Sequence, residues 1–202
     1  MRERLTTKSL GGRSITLRPL KPDDAPRVQQ ACSDPETIAW LGGDVINERY
    51  DLDRAHGFIA HALARVAAGG FMSWAIADTA SDDLLGHISL IGRDGELTDT
   101  AALGYWAHPA ARGTGVTTAA ALAVVDEALT PAAEGGGGLR RLTLRVAVGN
   151  VASQRVAEGA GFVRTGHTRQ SGLLLDGTFT DEFTYDVLAS DPRRRHSPPR
   201  RP

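Results

Sequence analysis

The segment Gly104-Tyr-Trp-Ala-His-Pro-Ala-Ala-Arg-Gly-Thr-Gly-Val-Thr-Thr118 constrains this chain more than any other. A strand ending at His108-Pro109 runs into the loop Arg112-Gly-Thr-Gly115, which opens a helix expected over 115–129 and halted by Pro131. Glycines let a backbone come close to a ligand, and the first-turn N–H groups of a helix have no partner inside it. Those groups lie at the positive end of the helix dipole, so the loop has the make-up of an anion site, most often one for phosphate. The spacing differs from that of a P-loop, which needs Lys-Ser/Thr after its second glycine, and from the Rossmann Gly-x-Gly-x-x-Gly.

The flanking sequence reads as alternating strands and helices. Ile15 and Leu17 form a short strand closed by Pro19, and Asp23 or Asp24 caps a helical stretch that Asp34-Pro35 interrupts. Asp51 begins a second helix, with Phe58, Ile59, Leu63 and Val66 at helical spacing and Gly69-Gly70 at its end. Strands are expected over 72–76, 84–91 and 101–107, then over 142–148, where Leu142, Leu144, Val146 and Val148 alternate with polar residues. A short helix over 151–158 and two strands joined at Asp176-Gly177 complete the pattern. The order β-α-α-β-β-β-α-β-α-β-β fits one mixed sheet with helices on its faces.

Two stretches carry a more specific likeness. Arg112 and Gly115 fill fixed positions of the R/Q-x-x-G-x-G/A signature of the GNAT superfamily of N-acetyltransferases, with Thr117 where Gly or Ala is usual. Asn150-Val-Ala-Ser153 followed by Glu158-Gly-Ala-Gly-Phe162 resembles the N-x-x-S…E-K-x-G-F segment of the ribosomal-protein N-terminal (Rim-type) branch, with Gly159 in place of Lys. Ile15-Thr-Leu-Arg-Pro19, Ser33-Asp-Pro-Glu36, Leu85-Gly86 and Asp176-Gly177…Asp181 are similar to that branch in the same order. The resemblance implies an α/β (α+β) fold: a single GNAT-like domain over 13–190, with a mixed, mostly antiparallel sheet splayed at the cofactor site and helices on both faces. Residues 1–12 would be an N-terminal arm, and 191–202 a disordered tail.

The same resemblance implies acyl transfer from acetyl-CoA to an amine in a ternary complex. Backbone of Trp106, Ala107 and His108 would pair with the pantetheine arm. Arg112, Gly113, Thr114, Gly115, Val116 and Thr117 would hold the pyrophosphate, and Asn150 would anchor the arm near the thiol. Ser153 matches the position whose hydroxyl lies near the sulfur, and an N–H on the strand at 105–107 would meet the oxyanion. An α-amino group, with a pKa near 8, is roughly one-tenth neutral at pH 7, whereas lysine is neutral in roughly one molecule in two thousand. An N-terminal acceptor therefore needs little from a base, for which Glu96 and His87 are the candidates, His87 as a group able to titrate near neutrality. A small-molecule amine acceptor and a non-catalytic acyl-CoA sensor stay open as alternatives, and so does a homodimer.

Composition narrows the remaining classes. One cysteine, Cys32, excludes an intrachain disulfide framework and reads as a buried apolar residue. His56 and His61 lack the i, i+4 spacing of a zinc pair, so no metal is expected. The longest apolar run is far short of a membrane span, and residues 1–8 lack a signal-like apolar stretch, which gives a cytoplasmic expectation. The formal charge of −1 conceals five arginines in the last ten residues; the rest holds 18 basic against 24 acidic groups, a body at −6. That tail has no aromatic residue for base stacking, so nucleic acid is not an expected partner. Trp40, Trp74 and Trp106 are expected in the core or a pocket wall, and the resemblance implies that 39–43 is the substrate-side loop that helps choose the acceptor.

Overall fold

A computed structural model describes residues 1–9, 11–40, 50–93, 96–174 and 176–192, with the side chains of 93–98 outside the description. Eight strands form one sheet in the order β1-β2-β3-β4-β5-β6-β8-β7. They are β1 (Leu5–Lys8), β2 (Ser14–Arg18), β3 (Phe71–Asp78), β4 (Leu84–Arg93), β5 (Glu96–Ala107), β6 (Arg141–Ala147), β7 (Val163–Leu173) and β8 (Phe179–Leu188). Every neighbouring pair is antiparallel except β5 and β6. The helices are α1 (Ala25–Cys32), α2 (Pro35–Ile38), α3 (Leu52–Ala67), α4 (Val116–Leu129) and α5 (Val151–Gly159).

The period-two alternation of the strands sends successive side chains to opposite faces, so the sheet has two cores. Trp74, Ile76, Ile88 and Leu103 pack with Val116, Ala120 and Val124 of α4 and Ala157 of α5. Phe71, Ala75, Leu84 and Trp106 pack instead with Val28 of α1 and Ala55 and Ile59 of α3. Helices thus cover both faces, as the resemblance implied. Within the expected N-terminal arm, residues 5–8 add an edge strand, with Leu5 opposite Leu17. The two last strands meet as expected, while 193–202, the bulk of the expected tail, lies outside the described residues.

The parallel pair decides where the site lies. β5 and β6 stay in register only over Thr100↔Arg141, Ala101↔Leu142 and Ala102↔Thr143. Beyond that, β5 keeps its bonds to β4 as far as Ala107, and β6 keeps its bonds to β8 as far as Ala147. Two strands that start paired and end apart leave a wedge with unpaired backbone on its walls, and an exposed wedge of that kind accepts a further extended chain.

Candidate active site

A cleft of about 800 Å³ fills the wedge, lined by Gly104 to Ala107 of β5, Leu144 to Ala147 of β6, the loop before α4 and the start of α5. Along β5, alternate residues turn their N–H and C=O groups to opposite sides. The His108 N–H donates to the Leu85 carbonyl at 2.9 Å, so His108 and Trp106 face β4, and Tyr105 and Ala107 face the wedge. This corrects the expectation for Trp106 and His108: Trp106 pairs with His87 of β4, the His108 N–H is committed to Leu85, and the His108 carbonyl accepts from the Ala111 N–H at 2.8 Å. His108 is buried, its Nδ1 accepting from the Ala110 N–H and its Nε2 bonded to Gln30. Ala107 lines the cleft, and the Trp106 ring lies against Phe58 and His87 on the α1/α3 face.

At the mouth, Gly113 and Gly115 both have φ in the left-handed region, at +72° and +75°. A side chain there would strain the backbone, which is the local reason for the two glycines. Gly115 caps α4 without a side-chain oxygen for the first turn. Among the described residues the N–H groups of Gly113, Gly115, Val116, Thr117 and Thr118 have no hydrogen-bond partner. Gly113, Gly115, Thr117 and Thr118 line the cleft, while the Val116 side chain is buried and leaves only its N–H toward the loop. Thr114 turns away, its hydroxyl donating to the Ala111 carbonyl at 2.6 Å. Buried or half-buried donors without partners are costly, and a bound anion removes that cost.

Arg112 has a more particular role than its motif position suggests. Its guanidinium donates to Glu36 Oε2 at 2.8 Å, to Thr37 Oγ1 at 2.5 Å and to Asp34 Oδ1, all in or just before α2. That guanidinium holds the Asp34 carboxyl below its usual range, chiefly by the hydrogen bond. The side-chain charge is thus already balanced, and the free donors of the loop are backbone ones. The same clasp holds the segment that continues to Trp40, whose ring lines the cleft and lies against Gly149 in the turn after β6. Residues 41–43 of the expected acceptor-side segment lie outside the described residues.

Across the wedge, Asn150 caps α5, its Oδ1 accepting from the Ser153 N–H at 3.0 Å. The cap uses the carbonyl oxygen and leaves the amide NH₂ for the cleft that Asn150 lines. Ser153, half-buried in the first turn of α5, points its hydroxyl at the Tyr105 phenol, 2.9 Å away. Tyr105 carries no motif signature, and its meeting with Ser153, 48 positions away, left no signal in the sequence. Burial pushes its phenol up to about 12, more than the bond to Ser153 lowers it.

The two base candidates fare differently. Glu96 begins β5, and its side chain lies outside the described residues. His87 is buried behind Trp106, the two rings 5.7 Å apart, and its Nε2 is 2.8 Å from Ser73 Oγ. Burial pushes the imidazole down to about 4, which corrects the expectation of titration near neutrality. In the folded chain His87 is neutral where the unfolded chain would be protonated, so between pH 6.5 and about 4 the unfolded state binds more protons. Stability is therefore complete above pH 6.5 and falls as pH drops, by roughly 3 kcal/mol in all at about 1.4 kcal/mol per unit. Thermal melts of the wild-type and His87→Gln chains across that window test this; equal slopes would refute it.

The other described acids of the cleft are paired. Glu182 meets Arg145 and accepts from the Ser171 hydroxyl at 2.8 Å, and Glu36 is held by Arg112. Cys32 is buried and its thiol is pushed up to about 11, so it behaves as the expected apolar residue. The described residues contain no group of three or more His, Cys, Asp or Glu that could hold a metal ion. Among them no helix is long and apolar enough to cross a membrane.

Comparison with known proteins adds three findings. Residues 14–163 match the family model described as the acetyltransferase (GNAT) domain. Over 114 residues the chain is 34% identical to a probable N-acetyltransferase of Bacillus subtilis, YjcK, a match spanning 56% of this chain and 60% of that relative's length. Among solved structures, Mycobacterium smegmatis RimJ in complex with CoA-disulfide superposes with a TM-score of 0.78 at 18% identity, covering 92% of this chain and 87% of that one. The microcin C7 self-immunity acetyltransferase MccE, solved with acetyl-CoA and AMP, gives 0.72 at 18% identity, over 86% and 92% of the two chains.

Proposed function

The chain belongs to the GNAT acetyltransferase family, and from that premise we propose that it carries an acetyl group from acetyl-CoA to a primary amine, the α-amino group of a protein or peptide. The observation that carries the donor half is the set of N–H groups of Gly113 and of Gly115 to Thr118, unpartnered among the described residues and opening onto a cleft with unpaired strand backbone. Those groups would take the pyrophosphate, as oriented backbone dipoles do at helix N-termini. The N–H and C=O groups of Tyr105 and Ala107 face the wedge, where the amides of a pantetheine arm pair as an added strand. Asn150 offers its NH₂ to the same arm.

The acceptor half rests on how the described titratable groups at the cleft are held. Among the described residues lining it, each carboxylate is paired with an arginine, and His87 is sealed away as a neutral ring. With its described carboxylates paired and His87 neutral, the cleft suits an amine that is already partly neutral, which at pH 7 means an α-amino group rather than lysine. The neutral nitrogen attacks the thioester carbonyl, the C–N bond forms and the C–S bond breaks. The nitrogen loses its proton to water in the open cleft. A strand N–H of Tyr105 or Ala107 meets the oxyanion, and the Ser153 hydroxyl donates to the departing sulfur.

Thiol release from acetyl-CoA is the test, run against N-terminal peptides, lysine peptides and small amines. N-terminal peptides should lead at pH 7 by at least about tenfold in kcat/KM, since the neutral fractions differ by roughly two orders of magnitude. A lead by small amines would overturn the acceptor assignment, and CoA binding with no release from any acceptor would overturn catalysis. Ser153→Ala should lower kcat about thirtyfold, the scale of one lost hydrogen bond to a developing charge, about 1.5–3 kcal/mol. Unchanged turnover would remove Ser153 from the mechanism.

A further inference from the structure

Tyr105 of β5 reaches across the wedge to Ser153 of α5 on the α4/α5 face. Its ring packs on that core, and its phenol oxygen is 2.9 Å from Ser153 Oγ and 3.1 Å from the Ser153 carbonyl. Among the described residues, Ser153 Oγ has no other partner. Two hydroxyls in contact share their protons in one of two ways. If Tyr105 donates to the carbonyl, its oxygen is open to the Ser153 proton, which can turn to it and away from the cleft. If Tyr105 donates to Ser153 Oγ, the serine proton is turned outward.

We propose that Tyr105 is a positioning residue for the transfer reaction, giving its phenol proton to Ser153 Oγ so that the Ser153 O–H is directed at the departing sulfur. This rests on the acetyl-transfer reading above and adds to it the group that makes a serine serviceable there. A phenol held up at about 12 stays protonated throughout the neutral range, so it is always a donor. Negative charge growing on sulfur as the C–S bond breaks favours the outward arrangement, and a chain of two donors polarises each bond in it. No proton is transferred between Tyr105 and Ser153. Both keep their own, the sulfur leaves as a hydrogen-bonded thiolate, and water protonates it.

The test is steady-state kinetics of Tyr105→Phe, which keeps the ring and removes the oxygen. The expected result is a fall in kcat of about tenfold, the scale of one hydrogen bond, with the acetyl-CoA dissociation constant within about twofold of wild type. The double variant with Ser153→Ala should be no slower than Ser153→Ala alone, because the phenol acts only through that hydroxyl. Wild-type turnover in Tyr105→Phe, or losses that multiply in the double variant, would overturn the proposal. If Tyr105→Phe does not fold, 3-fluorotyrosine at position 105 keeps packing and bond while making the phenol a stronger donor. It should raise kcat below neutral pH, and an unchanged kcat would overturn the proposal. A wild-type chain that binds acetyl-CoA and releases no thiol overturns the functional reading itself, whereas release that ignores Tyr105 overturns this inference alone.

Discussion

Gly115→Val should abolish useful donor binding, raising the acetyl-CoA dissociation constant by at least about a hundredfold, as expected for two lost charge-assisted hydrogen bonds at about 1.5–3 kcal/mol each. Gly115 lies at φ +75°, at the N-cap of α4, with the unpartnered N–H groups on either side of it. A β-branched residue strains that left-handed backbone and puts its methyl groups beside the donors a phosphate must reach. Strain and binding can be separated with Gly113→Val. Gly113 has φ +72°, and an added Cβ there meets nothing within 4 Å. Both variants should lose stability alike, by about 1–3 kcal/mol in melting experiments. The larger loss of affinity should belong to Gly115→Val, measured by calorimetric titration with acetyl-CoA. A folded Gly115→Val chain that binds acetyl-CoA within threefold of wild type would show that the loop is not the phosphate seat.

The contrast between the two glycines marks what a sequence can carry. Local rules were enough for the loop: glycines at 113 and 115, then an apolar helix, give donors with no partner whatever the rest of the chain does. The capping role of Asn150 and the place of Ser153 in the first turn of α5 are similarly local, three residues apart. Long-range facts were illegible. That β5 and β6 part after Ala102 depends on pairings some forty residues distant. The phenol of Tyr105 meets Ser153 across 48 positions, and Arg112 meets Asp34 across 78. Nothing in the composition of Leu5–Lys8 distinguishes an edge strand from an arm, since its pairing comes from β2. His87 was misread for a related reason: its residue type fixes a pKa near 6.5, but burial by Phe58, Trp106 and the sheet fixes the shift.

Gly86→Ala should lower the melting temperature by about 4–8 °C and weaken acetyl-CoA binding together, although residue 86 touches no ligand. Gly86 in β4 pairs with Ala107 at the end of β5, beside the wedge. An added Cβ would stand 2.5 Å from the Trp106 carbonyl oxygen and 3.3 Å from the Ala107 Cα. Both neighbours are backbone, so no rotamer change relieves the overlap, and the end of β5 must move. Overpacking of this kind costs about 2 kcal/mol, and each kcal/mol lowers the melting point by about 2–4 °C at this chain length. The strand that moves is the one whose Tyr105 and Ala107 backbone faces the cleft, and for that reason affinity should fall with stability. Gly104→Ala supplies the stability control on β5: its Cβ would meet only Ser89 Oγ, at 3.6 Å, an ordinary contact. Its melting temperature should stay within about 2 °C of wild type, the range of a substitution without a steric fault. If Gly86→Ala melts like Gly104→Ala, the close approach of β4 is not what holds the wall of the cleft in place.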